Sequence, residues 1–141
     1  ELVAFVFFGV VATAGTTFVL AGTVTIESWL AGGAAGFIAS AALLVNNIRD
    51  LQQDKLVGKR TLAVRIGDRA ARAVYAAFML APFGILVFFV LFYANAYLVF
   101  FALLAALPAI AITVTAKTAQ ELILALRPTA LTALVYGLGL G

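Results

Sequence analysis

The chain is 141 residues long, 65% hydrophobic and only 11% charged, with a mean hydropathy of +1.17 and a net charge of +3. Soluble domains carry about 25% charged residues, and so short a chain has too little interior to hide this much apolar side chain from water, so lipid is the expected solvent. The absence of Cys excludes a disulfide framework and a thiolate metal site, the absence of His removes the usual base and commonest zinc ligand, and apolar runs between the basic residues leave nucleic acid no face to grip.

A membrane-spanning helix needs about 20 mainly apolar residues. In chain order, the first candidate covers about residues 2–24 and the second about 29–54, apolar as far as Val45 and joined to the first by GTVTIES. A charged stretch at about 55–72 leads to the third span at about 73–93, and YANA links this to the fourth at about 96–116. The stretch KTAQELILALR then precedes a fifth span at about 128–141. The expected fold is therefore all-α, a polytopic transmembrane helix bundle, with residues 1–141 as one domain. The chain opens at Glu1 rather than Met, directly into an apolar run with no signal-peptide pattern, so we expect a piece of a longer polytopic protein. Pro82 and Pro108 fall inside spans, where membrane helices tolerate them, and Pro128 suits the first position of the last helix. Trp29 suits the interfacial aromatic belt.

The charges test this layout. Arg49, Lys55, Lys59, Arg60, Arg65, Arg69 and Arg72 cluster in and around the second link, while Lys117 and Arg127 flank the fourth. The first and third links carry no Lys or Arg. Alternating spans put both basic links on one side, and an excess of Lys and Arg marks the cytoplasmic side.

Within NNIRDLQQDKLVGKRTLAVRIG, Asn46, Asp50 and Asp54 are spaced four apart. Each step of four turns a helix by about 400° and rises about 6 Å, so the three stack on one face if the second helix continues past Val45. Asn47, three before Asp50, can join them. Oxygens of this kind suit Mg²⁺, which takes one or two carboxylates and fills its remaining sites with water and substrate phosphate. The competing reading is a solvated helix end in which the aspartates pair with Arg49, Lys55 or Lys59. DKLVGKR places Lys55, Lys59 and Arg60 just after the acids, with Gly58 as the break that turns the chain back. Acids holding a metal beside cations describe a receptor for a diphosphate, whereas inward-facing topology alone accounts for Arg69 and Arg72. Towards the bilayer, the Asp50 face continues through Leu43, Ala39, Gly36 and Gly32. So many small residues imply either close helix packing or a groove for an apolar tail.

The same stretch resembles the second aspartate-rich motif of the UbiA-type intramembrane aromatic prenyltransferases. Its asparagine-led form with GKRTLAVRIG is most like the menaquinone-pathway branch, whose acceptor is 1,4-dihydroxy-2-naphthoate. ELVAFVFFGVVATAGT and LRPTALTALVYGLGLG resemble helices of that branch. The resemblance implies a nine-helix fold of which these are the last five, with a first aspartate-rich motif upstream, so that this stretch alone should be inactive. It implies Mg²⁺ as cofactor, a polyprenyl diphosphate donor and an aromatic acceptor, in a prokaryotic inner membrane with the site facing the cytoplasm. Carried over by position, Asp50 and Asp54 are the metal-binding aspartates, and Asn46 stands where many relatives have a third. Lys59, Arg60, Arg49 and Lys55, with Asn47, fall near the diphosphate. No catalytic base is assigned. The stretch GTTFVL departs from the more polar sequence of the branch, which leaves 4-hydroxybenzoate or homogentisate as alternative acceptors. From another class, a cation-coupled transporter would bind its ion at the same acids, but such sites favour broken helices near the midplane.

Among the other polar residues, Asp68 is expected to cap the third span, Thr61 to start a short helix over TLAVRIG and Gly67 to end it. Glu121 is expected in an amphipathic surface turn.

Overall fold

In the computed structural model, which describes residues 2–140, the chain forms seven helices and, among the described residues, no strand. They are α1 (Leu2–Ala21), α2 (Ile26–Arg49), α3 (Leu51–Leu56), α4 (Leu62–Ile66), α5 (Asp68–Phe92), α6 (Ala96–Thr115) and α7 (Ala119–Leu140). All except α3 and α4 are long and apolar enough to cross a membrane. The all-α bundle expected from composition is what forms.

Local chemistry sets the helix ends. Gly22 closes α1 with φ 71°, a left-handed position open to a residue without Cβ, and its N–H bonds the Phe18 carbonyl at 2.8 Å. The Thr61 hydroxyl accepts from the Val64 N–H at 3.3 Å to cap α4, and Gly67, at φ 86°, ends it, both as expected. Asp68 is not the cap of α5. Gly67 occupies that position, and the turn it makes carries Asp68 into the first helical turn. There its carboxylate receives Arg72 Nε at 2.9 Å, one turn further on, and also sits favourably at the positive end of the helix.

The last helix departs most from expectation. It begins at Ala119 rather than near Pro128, so Pro128 lies in its interior, while Gly141 of the expected span lies outside the described residues. The reason is a reciprocal cap in KTAQE. Thr118 Oγ1 accepts from the Glu121 N–H at 3.3 Å, and Glu121 Oε2 accepts from the N–H groups of Lys117 and Thr118 at 2.6 and 3.3 Å. This Thr-x-x-Glu pattern starts helices, and it makes Glu121 a capping residue rather than part of a free surface turn.

Helix α2 sits centrally, against α1, α5 and α7. Leu44, Val45, Tyr75, Met79 and Leu86 are buried where these helices meet. Between lipid-embedded helices the hydrophobic effect gives little drive, so close packing and hydrogen bonds take over. Both are present. Tyr75 and Thr129 share a 2.6 Å hydroxyl–hydroxyl bond that ties α5 to α7, and Tyr136 donates to the carbonyl of Pro82 at 2.5 Å. Helices α1 and α2 meet backbone to backbone. A Cβ on Gly9 would lie 2.4 Å from the Gly36 Cα and 2.5 Å from the Gly32 carbonyl oxygen. Gly9 lies in a π-helical stretch, Phe5–Val11, of α1. Large apolar side chains such as Leu91 (75% exposed) and Leu104 (73%) point outward, where lipid replaces water.

Gly9→Val should therefore force α1 from α2 and cost about 1–3 kcal/mol. Gly15→Ala is the control, because a Cβ there meets nothing within 4 Å. Equal melting temperatures for the two variants in detergent would show that α1 does not pack on α2 in this way.

Candidate functional site

The aspartate ladder lies where α2 passes into α3. The Asp50 N–H bonds the Asn46 carbonyl at 3.0 Å and the Asp54 N–H bonds the Asp50 carbonyl at 2.8 Å, so four-residue bonding persists through the junction. The backbone leaves ideal helix only at Asp50, with φ −91° and ψ 4°. Gly58, at φ 72°, then reverses the chain, and the Lys59 N–H returns to the Asp54 carbonyl at 2.9 Å. Gly58 is thus the break expected from the sequence, and it brings Lys59 back over Asp54.

The side chains differ in their partners. Asp50 is held by its neighbour, with Arg49 Nε 2.7 Å from Oδ1 and Nη2 2.8 Å from Oδ2, a fork-on-carboxylate pair. Those hydrogen bonds hold the Asp50 carboxyl below the usual carboxylate range. Partial burial opposes the shift, and the charges of Arg49 and Lys59 add to it. Asp54 is only 5% exposed. Its Oδ1 lies 3.4 Å from Lys59 Nζ, a pair whose ammonium end is exposed, and its Oδ2 is buried with no hydrogen-bond partner. Asn46 is half-buried, its amide donating to the Ala42 carbonyl at 3.1 Å, and Asn47 is buried beside it. Lys55 is exposed, and Arg60 points to a different cavity, shared with Arg65. The junction therefore brings Arg49, Asp50, Asp54 and Lys59 together, with Asn46 and Asn47 in the last turn of α2 before it, but not Arg60.

A buried carboxylate oxygen without a partner is costly, more so than the mean worth of a hydrogen bond. A cation at Asp54 Oδ2 would remove that cost. No group of three acidic ligands forms among the described residues, but Mg²⁺ takes only one or two carboxylates and completes its shell with water and phosphate. The donor chemistry present fits such an ion.

A cavity of about 980 Å³ runs between α1, α2, α5 and α7 from the opposite end of the bundle, where Glu27, Ser28 and Asn95 line it, as far as Ala42, and no residue of the junction lines it. One wall is a stripe of small residues on α2, namely Ala31, Ala35, Ala39 and Ala42, and the others include Thr13, Phe89 and Tyr136. Ala42 is two turns before Asp50, about 12 Å along the axis. The face singled out in the sequence therefore divides. Gly32 and Gly36 serve packing against α1, while Ala39 serves the cavity. The alanine stripe itself was visible as small residues at four-residue spacing, on the neighbouring face.

Comparison with known proteins now bears on the site. The UbiA prenyltransferase family matches residues 1–135. The chain belongs to the UbiA prenyltransferase family. Within it, the chain is 39% identical over 140 residues to the 1,4-dihydroxy-2-naphthoate octaprenyltransferase of Mycobacterium tuberculosis, which covers 98% of this chain and 47% of that protein. It is 37% identical over 87 residues to the enzyme of the same name from Escherichia coli, covering 62% of this chain and 28% of that protein. The chain thus spans about half the length of the first of these relatives, and less of the second. No solved structure matches it. With five apolar helices, this UbiA family member is an integral, multi-pass membrane protein.

The Arg49–Asp50 pair has a pH signature. Unfolded, the Asp50 carboxyl titrates near about 3.9, and the native value is lower. The pair's contribution to stability is therefore complete above about pH 4 and is lost as pH falls through the native value. Melting temperatures of the wild type and R49Q should differ by a constant amount at neutral pH, and the gap should close on acidification. A gap that widens in acid would mean that the pair does not form.

Proposed function

We propose that the protein transfers a polyprenyl group from polyprenyl diphosphate to 1,4-dihydroxy-2-naphthoate, with Mg²⁺, in menaquinone biosynthesis. The site opens to the cytoplasm at a prokaryotic inner membrane. The observation that carries this reading is Asp54, a carboxylate sealed at the end of a membrane helix with one oxygen unmatched and Lys59 at the other. The names of the two relatives support the choice of acceptor, and the concentration of Lys and Arg in the α2–α5 link supports the orientation.

In this proposal Asp54, Asp50 and Asn46 hold the metal. Bound Mg²⁺ supplies Lewis-acid neutralisation of the diphosphate oxygens. Lys59 offsets further charge on the leaving group, with Lys55, Arg49 and Asn47 around it, whereas Arg60, expected there from the sequence, lines another cavity. Arg49 already presents its guanidinium in a fork geometry that phosphate oxygens accept as readily as a carboxylate. The polyprenyl tail lies along the alanine stripe of α2, whose methyl groups leave most of that wall open, with Ile38 beside it. As the allylic C–O bond breaks, the electron pair leaves with diphosphate and positive charge develops on the allyl carbon. The ring carbon bearing the carboxylate attacks that carbon, a C–C bond forms, and the carboxylate leaves from the same ring carbon as carbon dioxide, its bonding pair restoring the aromatic ring. The cationic carbon forms beside the diphosphate at the junction, where exclusion of water protects it, while Phe89 and Tyr136 lie toward the far end of the cavity, along the path of the tail.

Asp54→Asn in the full-length enzyme keeps the shape and removes the charge. It should lower Mg²⁺-dependent turnover by at least about a hundredfold while the melting temperature is held or raised, because a buried charge is lost. Asp50→Asn should lower turnover similarly but with a lower melting temperature, because the fork with Arg49 is weakened. Turnover near that of the wild type in either variant would refute the assignment, and a panel of aromatic acceptors would identify the ring that is prenylated.

A further inference from the structure

Arg49 and Asp50 are adjacent in sequence, and neighbouring side chains on a regular helix point about 100° apart and do not meet. They meet here at the junction of α2 and α3, where Asp50 leaves helical geometry with φ −91° and ψ 4°. The result is a two-point grip. Arg49 Nε lies 2.7 Å from Oδ1 and Nη2 2.8 Å from Oδ2, so each carboxylate oxygen accepts one guanidinium N–H. One turn further on, Lys59 Nζ lies 3.4 Å from Asp54 Oδ1, and its charge reaches Asp50 as well. Each acid of the ladder therefore stands beside a cation of the same short segment.

The Arg49–Asp50 pair can part at little cost. Its side chains are 30% and 37% exposed, and an ion pair open to water contributes little to stability. A divalent cation at Asp50 would meet the guanidinium at contact distance, where like charges repel. A diphosphate at the junction offers that guanidinium the same two-oxygen match as the carboxylate does. Metal alone has to evict Arg49, and diphosphate alone has to draw it from Asp50. Together they exchange partners and leave no charge bare.

We propose that Arg49 is a placeholder for the metal at Asp50. Its guanidinium holds the carboxylate until Mg²⁺ takes it, and then passes to the diphosphate. Each ligand thereby raises the affinity for the other by the same factor, as linkage requires. Loading of the site becomes a joint event of metal and donor. The exchange rests on the metal assignment proposed above and adds a coupling which that assignment does not require.

The test reads binding in the full-length enzyme in detergent, without turnover. Mn²⁺ is titrated into donor-free enzyme and its unbound signal followed by electron paramagnetic resonance. Arg49→Gln should bind Mn²⁺ about fivefold more tightly than wild type, because the carboxylate is freed. Arg49→Lys keeps the charge but loses the fork, and should gain about twofold. Lys55→Gln removes the same charge nearby without freeing a carboxylate, and should change the affinity by less than about twofold. At saturating Mg²⁺, calorimetry should show inorganic pyrophosphate bound about tenfold more weakly by Arg49→Gln. Mn²⁺ affinity at or below the wild-type value in both Arg49 variants would overturn the exchange, as would an equal gain in Lys55→Gln. Mn²⁺ binding indifferent to both Asp50→Asn and Asp54→Asn would refute the metal assignment itself, and the exchange with it.

Discussion

A hydrocarbon core gives a peptide N–H or C=O nothing to bond, and that single constraint organises the whole chain. Wherever the backbone crosses lipid it must satisfy itself, so it is helical from Ile26 to Arg49 and from Asp68 to Phe92 without a loop. Ionic groups are driven to the helix ends for the same reason. The junction of α2 and α3 is thus the place where charge is tolerated and the apolar interior is still within reach.

Once the helices exist, lipid does little to press them together, and the contacts that fix their arrangement are specific. The backbone approach at Gly9, Gly32 and Gly36 sets α1 against α2, and the Tyr75–Thr129 and Tyr136–Pro82 bonds clamp α5 to α7. These fixed distances leave room between α1, α2, α5 and α7 for a cavity, because the α2 wall there is mostly alanine. Packing and binding are assigned to adjacent faces of one helix, separated by roughly a quarter turn.

The two aspartates of the ladder have separate fates. Asp50 is paired and partly exposed, the behaviour of a solvated helix end. Asp54 is buried and half-matched, which a solvated end would not produce. The difference comes from the chain reversal at Gly58, which folds Lys59 over one oxygen of Asp54 and leaves the other facing inward. A buried carboxylate and a matching cation are therefore brought together by a glycine, a lysine and a helix end within one short segment.

The number of spans, the clustering of charge and the four-residue ladder were settled by the order of residues, since hydropathy and helical periodicity are local properties. Thr61 and Gly67 were readable for the same reason. The capping pair Thr118 and Glu121 was also local, but it was obscured by the pull of Pro128 as a helix start. Other features depended on contacts between residues far apart in the chain. Spacing gave the small residues on α2 no means of telling which would touch α1 and which would face space. Nor did it separate Arg60 from Lys59, adjacent in sequence, of which one lines a cavity and the other pairs with Asp54. Tertiary packing decided these, because whether a side chain is sealed, paired or left facing a void is set by what the neighbouring helices bring to it.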